Sequence, residues 1–168
     1  MVTKLTVSGD SSLRLQAGET YVVTDPCYVF GSHDWGRFCD EVFFKESQEV
    51  FTFGRSAPVL FSRTAFGDGC YSVNHGDVSL GEFGVDAGLF CVIRKKDAIK
   101  HGGVDFAGMA GVCEFVSTGG VISVENCGIA GEINCVTDGS DDDEEDEDWE
   151  EDDDECDITD DDDDFEDE

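Results

Sequence analysis

Short apolar runs separated by turn-forming residues repeat along most of the chain. Val, Phe, Thr, Tyr and Ile dominate the runs, and Gly, Asn, Asp and Ser stand between them. β-Branched and aromatic side chains pack well on a pleated surface, so the runs predict strands. The predicted strands lie near Lys4–Val7, Thr20–Val23, Val50–Phe53, Leu60–Thr64, Gly69–Val73, Leu89–Arg94, Val112–Ser117, Val121–Glu125 and Glu132–Val136.

Two of the intervening turns carry hairpin signals. Residues Asn74–Asp77 separate the runs Tyr71–Val73 and Val78–Leu80, and Gly119–Gly120 joins two runs that alternate cleanly. Gly and Asn tolerate the positive φ angles that tight hairpin turns require. Both turns therefore predict β-hairpins.

One segment has helical rather than strand periodicity. Its apolar residues fall at i, i+3, i+4, i+7 and i+8, with Ser32 or Asp34 available as the N-cap: Trp35, Phe38, Cys39, Val42 and Phe43. A second helical turn is predicted at Lys96–His101. The fold class predicted is mainly β (α+β): a curved antiparallel sheet, rolled or sandwiched, with one short helix packed on a face.

The acidic residues are concentrated at the C-terminal end. Residues 138–168, here called the acidic segment, hold 24 of the 41 Asp and Glu residues and no Lys or Arg. Residues 1–137, here called the body, hold the other 17 acidic residues and all 10 basic ones. The body is long enough for one β-rich globular domain. The acidic segment lacks the apolar surface that folding needs and is predicted to be disordered.

The charge also limits the classes of partner. With a formal net charge of −31, the chain is not expected to carry an ordinary basic nucleic-acid-binding surface, and direct nucleic-acid binding is not predicted. No apolar run is long enough to span a membrane, and Met1–Asp10 lacks the apolar core of a signal peptide. The eight cysteines are widely spread without CxxC pairs. We expect a cytoplasmic protein with reduced, mostly buried thiols.

Three short motifs carry a resemblance. Residues Thr24–Tyr28 contain the letters DPCY, residues Ala65–Gly69 contain GDG, and residues Gly84–Phe90 contain VDAG. Together they resemble a family of small uncharacterised bacterial and bacteriophage proteins that bear these signatures. The resemblance spans residues 20–95 and leaves out the acidic segment. It implies a phage or bacterial origin and an all-β or α+β fold, and it supplies no activity or catalytic residue.

Each of these motifs contains an aspartate that could take part in chemistry. Asp25, Asp68 and Asp86 could line a pocket, hold a divalent cation or act as acid and base. The alternative is an ordinary turn-forming role, in which the carboxylates accept hydrogen bonds from backbone N–H groups. No zinc-ligand or phosphate-binding motif is present, and we predict no metal and no cofactor.

The chain has a single run of basic residues, Arg94, Lys95 and Lys96. It follows a predicted strand and could meet a phosphate backbone or the acidic segment, or could be a solvated loop. The abundant aromatic residues make a stacking surface for single-stranded nucleic acid conceivable. Most of those rings are needed for the core of so small a domain.

The acidic segment is the strongest functional signal. A polyanion of this density competes for basic grooves through counterion release and electrostatic steering. Three large apolar residues interrupt the charge and could anchor a partner. The predicted partner-binding residues are these three and two runs of aspartates: Trp149, Ile158, Phe165, Asp141, Asp142, Asp143, Asp161, Asp162 and Asp163.

Three functional hypotheses result. The first is a non-enzymatic interaction protein, phage-encoded, whose acidic segment mimics nucleic acid and binds or inhibits a basic nucleic-acid-binding protein, such as a host-defence factor. The second is a small enzyme or small-molecule binder that uses Asp25, Asp68 and Asp86. The third is a single-stranded nucleic-acid-binding module that is autoinhibited by its own acidic segment.

Overall fold

The computed structural model describes residues 5–8, 11–41, 50–53, 57–102 and 111–137. The acidic segment, with its predicted disorder and its predicted partner-binding residues, lies outside the described residues, as do Val42 and Phe43 of the predicted helix. The described strands are β1 Leu5–Ser8, β2 Ser12–Arg14, β3 Thr20–Thr24, β4 Val50–Phe53, β5 Ala57–Arg63, β6 Gly69–His75, β7 Val78–Val85, β8 Leu89–Arg94, β9 Cys113–Val116, β10 Val121–Val124, β11 Gly128–Gly131 and β12 Cys135–Val136.

Two α-helices and one 3₁₀ turn complete the described elements. The 3₁₀ turn spans Pro26–Tyr28, helix α1 spans Ser32–Glu41 and helix α2 spans Lys95–Gly102. Both predicted helical segments are therefore confirmed. Within the described ranges, neither helix combines the length and apolarity needed to cross a membrane.

The strands form three antiparallel sheets. A six-stranded sheet has the order β1-β4-β5-β8-β3-β9, a four-stranded sheet has the order β12-β11-β10-β2, and β6 pairs with β7 alone. The mainly β fold class with antiparallel sheets is thus confirmed. Only some of the strands that are consecutive in the chain pair with each other, so much of the topology depends on contacts between distant parts of the chain.

The six-stranded sheet has an apolar core on each of its faces. Alternation along β3 sends Tyr21 and Val23 into one cluster and Val22 into the other. The first cluster includes residues from the four-stranded sheet and from the β6–β7 hairpin, such as Ile122 and Phe83. The central sheet is therefore covered on both sides.

Helix α1 covers the second face through aromatic side chains. Phe38 is fully buried, and its ring centroid lies 4.6 Å from that of Phe61 and 5.3 Å from that of Phe30. Trp35, one helical turn earlier, lies 5.5 Å from Phe38. These are the i and i+3 positions of the apolar stripe, so the predicted packing of one helix on a sheet face is observed.

The two predicted hairpins have different outcomes. The turn after His75 joins the antiparallel partners β6 and β7, so this prediction is confirmed. The prediction of a hairpin at Gly119–Gly120 is wrong, because β9 pairs with β3 whereas β10 pairs with β2 and β11. Gly119 does have a positive φ of 98°, but the turn it makes carries the chain from one sheet to another.

Candidate functional site

Asp25 follows β3 directly and caps the start of the 3₁₀ turn, and it is fully buried. Its Oδ1 accepts a hydrogen bond of 2.8 Å from the backbone N–H of Cys27. Its Oδ2 accepts two more, of 2.7 Å from the N–H of Asp86 and 2.9 Å from that of Ala87. Three backbone donors thus occupy the carboxylate, which joins the DPCY turn to the VDAG turn.

Asp86 is bound to the same turn through its side chain. The phenolic hydroxyl of Tyr28 donates a hydrogen bond of 2.5 Å to Asp86 Oδ2. This bond to a carboxylate, with a smaller contribution from burial, raises the pKa of Tyr28 to about 12. The phenol therefore stays protonated at neutral pH and acts as a hydrogen-bond donor.

The third motif meets the VDAG turn through its backbone. The hydroxyl of Thr64 donates a hydrogen bond of 2.6 Å to the carbonyl oxygen of Gly67, and the backbone N–H of Thr64 donates one of 3.0 Å to the carbonyl oxygen of Gly88. Asp68 itself is exposed on this loop. Across the parts of the chain that the structure describes, no three His, Cys, Asp or Glu side chains are grouped as a metal site would require. Asp25 and Asp86 lie close together because the carboxylate of Asp25 accepts a hydrogen bond from the backbone N–H of Asp86.

The thiols near these motifs are poorly suited to nucleophilic attack. Burial, with the hydrogen bond and charge of Asp25, raises the pKa of Cys27 to about 12. Cys91 is fully buried, and burial raises its pKa well above the ordinary value. All seven described cysteines are free, and among them only Cys70 is exposed. A thiolate is the reactive form, so the raised pKa values of Cys27 and Cys91 make these two thiols packing groups and poor nucleophiles.

The basic run is neutralised by carboxylates of the body. Arg94 Nε lies 2.6 Å from Asp97 Oδ2, and Arg94 Nη1 donates to Gln16 Oε1 at 2.8 Å. Lys95 Nζ lies 2.9 Å from Glu114 Oε1. A further pair forms in the same cluster. Lys96 Nζ lies 2.6 Å from Glu19 Oε1, and this contact lowers the pKa of Glu19.

A second carboxylate clamp holds the turn that connects the two large sheets. Glu132 accepts hydrogen bonds from the N–H of Gly120, at 2.6 Å, from Ser117 Oγ, at 2.8 Å, and from the N–H of Thr118. Partial burial alone would raise the pKa of Glu132, but these donors outweigh it and hold the pKa below its ordinary value.

Thr137, the last described residue, is fixed to the body. Its side chain is buried, and its Oγ1 accepts a hydrogen bond of 2.9 Å from the N–H of Ala65 and donates one to the carbonyl of Cys127. Asp138 follows directly in the chain. Thr137, the residue before the acidic segment, is therefore held beside the loop that carries the GDG motif.

Sequence reasoning missed several of these residues. Nothing in the pattern singles out Thr137 or Glu132, because their partners lie 72 and 12 to 15 residues away in the chain. The contacts of Lys95 with Glu114 and of Lys96 with Glu19 could not be predicted either, because the two glutamates lie far away in the sequence, on another strand and on a loop. The negative charge of Glu114 and Glu19 is visible in the sequence, but it does not indicate which basic residue each carboxylate contacts.

Comparisons with protein-family models, with curated proteins and with solved structures found no match for the chain. The resemblance to bacterial and phage proteins with DPCY, GDG and VDAG motifs stays a prediction. The geometry gives these motifs a physical meaning of their own, since two of them are joined by Asp25 and the third reaches them through Thr64.

Proposed function

We propose that the protein is a non-enzymatic interaction protein whose body presents the acidic segment to a basic partner. The partner is a nucleic-acid-binding protein, and the acidic segment occupies its groove in place of nucleic acid. A phage-encoded inhibitor of a host-defence protein would act in this way. The part about phage and host depends on the motif resemblance and on the chemistry of the segment together.

The observation that carries the proposal is the distribution of charge. Twenty-four acidic residues and no basic residue follow Thr137, with Trp149, Ile158 and Phe165 placed among them. Such a segment offers dense negative charge with a few large apolar side chains. Basic grooves built for a phosphate backbone bind this combination through counterion release, and the apolar side chains add selectivity.

The described part of the body supports this choice over the two alternatives. A single-stranded nucleic-acid module would need Arg94, Lys95 and Lys96 to meet phosphates, yet each lies within 2.9 Å of a carboxylate of the body. An enzyme built on Asp25 would need a free carboxylate oxygen, and both of its oxygens accept backbone hydrogen bonds. Neither alternative is favoured by a specific contact.

The first test compares the natural chain with a full-length variant in which every Asp and Glu of residues 141–168 is replaced by Asn or Gln. Each is immobilised and exposed to host lysate, washed at low and at high salt, and its captured proteins are identified by mass spectrometry. We expect a basic nucleic-acid-binding protein to be retained by the natural chain alone and released at high salt.

The captured protein is then purified and its binding to the natural chain is competed with a DNA duplex. Mutual exclusion is expected if the segment occupies the nucleic-acid groove. A variant with Trp149→Ser, Ile158→Ser and Phe165→Ser keeps all the charge and tests the apolar anchors separately. Equal capture by the natural chain and the neutral variant would overturn the proposal.

A further inference from the structure

We propose that one end of the body is a second contact surface for the same basic partner. This end, here called the motif end, is defined by Phe66, Asp68 and Asp86, and it lies where the loops of the GDG and VDAG motifs meet. The inference rests on the proposed function and adds to it an apolar anchor, Phe66, on the body itself. The partner it fits is a protein that presents apolar side chains beside basic ones.

The three residues lie close together because their loops are joined at Gly67 and Gly88. The backbone N–H of Thr64 donates a hydrogen bond of 3.0 Å to the carbonyl oxygen of Gly88. A side chain at Gly88 would place its Cβ only 3.7 Å from the Cα of Gly67. From this contact and the spacing along the chain, the Cα atoms of all three residues lie within roughly 10 Å of that of Gly88. All three are exposed, so they form one patch of the surface.

Phe66 is the apolar side chain of the motif end. It is 68% exposed, more than any other large hydrophobic residue in the described part of the body. The loop that carries it is held in place, because the hydroxyls of Thr64 and Tyr71 both donate to the carbonyl oxygen of Gly67, at 2.6 and 2.9 Å. An exposed aromatic ring on a loop that is already fixed costs little ordering on binding, which is typical of an interface anchor.

The charge of the motif end fits a basic partner. Asp68 and Asp86 are both exposed, and residues 64–69 and 85–88 contain no Lys, Arg or His. The phenol of Tyr28 that donates to Asp86 is uncharged, so it does not neutralise this carboxylate. The two carboxylates therefore attract the same polycation as the acidic segment.

Thr137, the last residue before the acidic segment, is held beside this surface. Ala65, the neighbour of Phe66, donates the 2.9 Å hydrogen bond to Thr137 Oγ1. This bond keeps the Cα atoms of Phe66 and Thr137 within roughly 11 Å of each other. Because Asp138 follows Thr137 directly, a protein bound to the first residues of the acidic segment comes within reach of the motif end. The two contacts then reinforce each other, since the second forms within an existing complex.

The test uses two lysine-rich peptides of equal length and charge, one with a central pair of leucines and one with serines in their place. Binding to the full chain is measured by fluorescence polarisation at low and at physiological salt. Phe66→Ser should weaken binding of the leucine peptide about fivefold at both salt concentrations and leave the serine peptide almost unchanged, because an apolar contact is not screened. Phe66→Leu should keep most of the preference for leucine. Asp68→Asn should weaken binding of both peptides equally, and only at low salt.

The matched control is Val116→Thr, which changes an equally exposed apolar side chain elsewhere. Val116 is 64% exposed and pairs with Thr20, at the opposite end of β3 from Asp25. This change should leave the binding of both peptides as it is in the natural chain. Thermal unfolding of the Phe66 and Val116 variants should match that of the natural chain, because both side chains are exposed.

Photo-crosslinking then locates the contact. Benzoylphenylalanine in place of Phe66 should crosslink the leucine peptide, whereas the same group in place of Val116 should not. Equal crosslinking at both positions, with no effect of Phe66→Ser on affinity, would overturn the motif end as a contact surface, and salt-dependent binding to residues 141–168 would leave the proposed function standing. Undiminished binding of both peptides to the chain with the neutralised acidic segment would instead overturn the proposed function.

Discussion

The carboxylates of the body and those of the acidic segment are the same chemical groups in opposite situations. In the body, Asp25 and Glu132 each accept at least three hydrogen bonds from nearby donors. Glu19, Glu114 and Asp97 each face a basic side chain. Residues 138–168 contain no basic residue at all, so any ionic partner must come from the body or from another molecule.

This difference separates structural from functional charge. A carboxylate that accepts hydrogen bonds from fixed backbone groups stabilises a fold, and it has little capacity left for a ligand. A dense run of unmatched carboxylates repels itself and gains free energy when a polycation displaces its counterions. The position of each acid relative to donors, more than the number of acids, therefore determines its role.

Salt should separate the two groups by the largest margin. Raising salt from about 50 to 200 mM should weaken binding of the basic partner by about a thousandfold, as for a protein with several phosphate contacts. The thermal unfolding midpoint of the same chain should change little, because buried hydrogen-bonded carboxylates are poorly screened. Isothermal titration calorimetry and circular dichroism measure the two effects, and salt-insensitive binding would contradict the mimic.

Two aspartates from similar sequence motifs should differ strongly in their effect on stability. Asp25→Ala leaves three backbone N–H groups without their acceptor in a buried place and should lower the free energy of unfolding by about 3 kcal/mol. Asp68→Ala removes an exposed side chain and should change it by less than about 0.5 kcal/mol. Urea unfolding followed by tryptophan fluorescence gives both values, and equal losses would exclude the clamp.

The same pair of residues shows how far sequence reasoning reaches. An Asp before Pro favours a carboxylate bonded to a nearby backbone N–H, and Asp25 does accept from Cys27. Its second oxygen reaches Asp86 and Ala87, which lie 61 and 62 residues away, and no local pattern encodes that contact. Local chemistry thus predicted the type of interaction but only one of its three partners.

Strands show the same limit. Most strands that were predicted from apolar runs are present, because β-branched and aromatic side chains pack well in a sheet, and the central strands β3, β5 and β8 are buried along most of their length. Strand β2 was missed, since Ser12–Arg14 has one buried residue, Leu13, and carries almost no pattern. Strand β2 pairs with one edge of β10 and β11 pairs with the other, so no edge of β10 is left for β9, which explains the wrong hairpin at Gly119–Gly120.

Acid should reveal the second clamp through its pH dependence. The pKa of Glu132 is lowered in the folded state, so its contribution to stability is present above the ordinary value of 4.5 and is lost as pH falls through the folded pKa. Glu132→Gln should cost about 1 kcal/mol at neutral pH, because water competes for a partly buried group.

The two unfolding free energies should converge as the pH falls below 4.5 and through the lowered folded pKa of Glu132. Urea unfolding of the natural chain and the variant across this range measures the difference, which also cancels the effect of protonating the acidic segment. A difference in unfolding free energy that stays constant with pH would show that the charge of Glu132 does not stabilise the turn.

The smallest effect is expected at the basic cluster. Lys95→Gln with Lys96→Gln removes two cations that already face Glu114 and Glu19 on the body. Partly exposed ion pairs contribute little to stability, so the unfolding midpoint should hardly move. Affinity for the basic partner should stay the same or rise slightly, because the change makes the body more negative.

The cluster also distinguishes the mimic from an autoinhibited nucleic-acid binder. If the acidic segment covered these lysines, neutralising it would expose them and create affinity for a single-stranded oligonucleotide, which Lys95→Gln with Lys96→Gln would then abolish. Because both lysines already face carboxylates of the body, we expect the chain with the neutral segment to show no such affinity. Fluorescence polarisation with a labelled oligonucleotide measures it, and binding that depends on the two lysines would favour the autoinhibited module over the mimic.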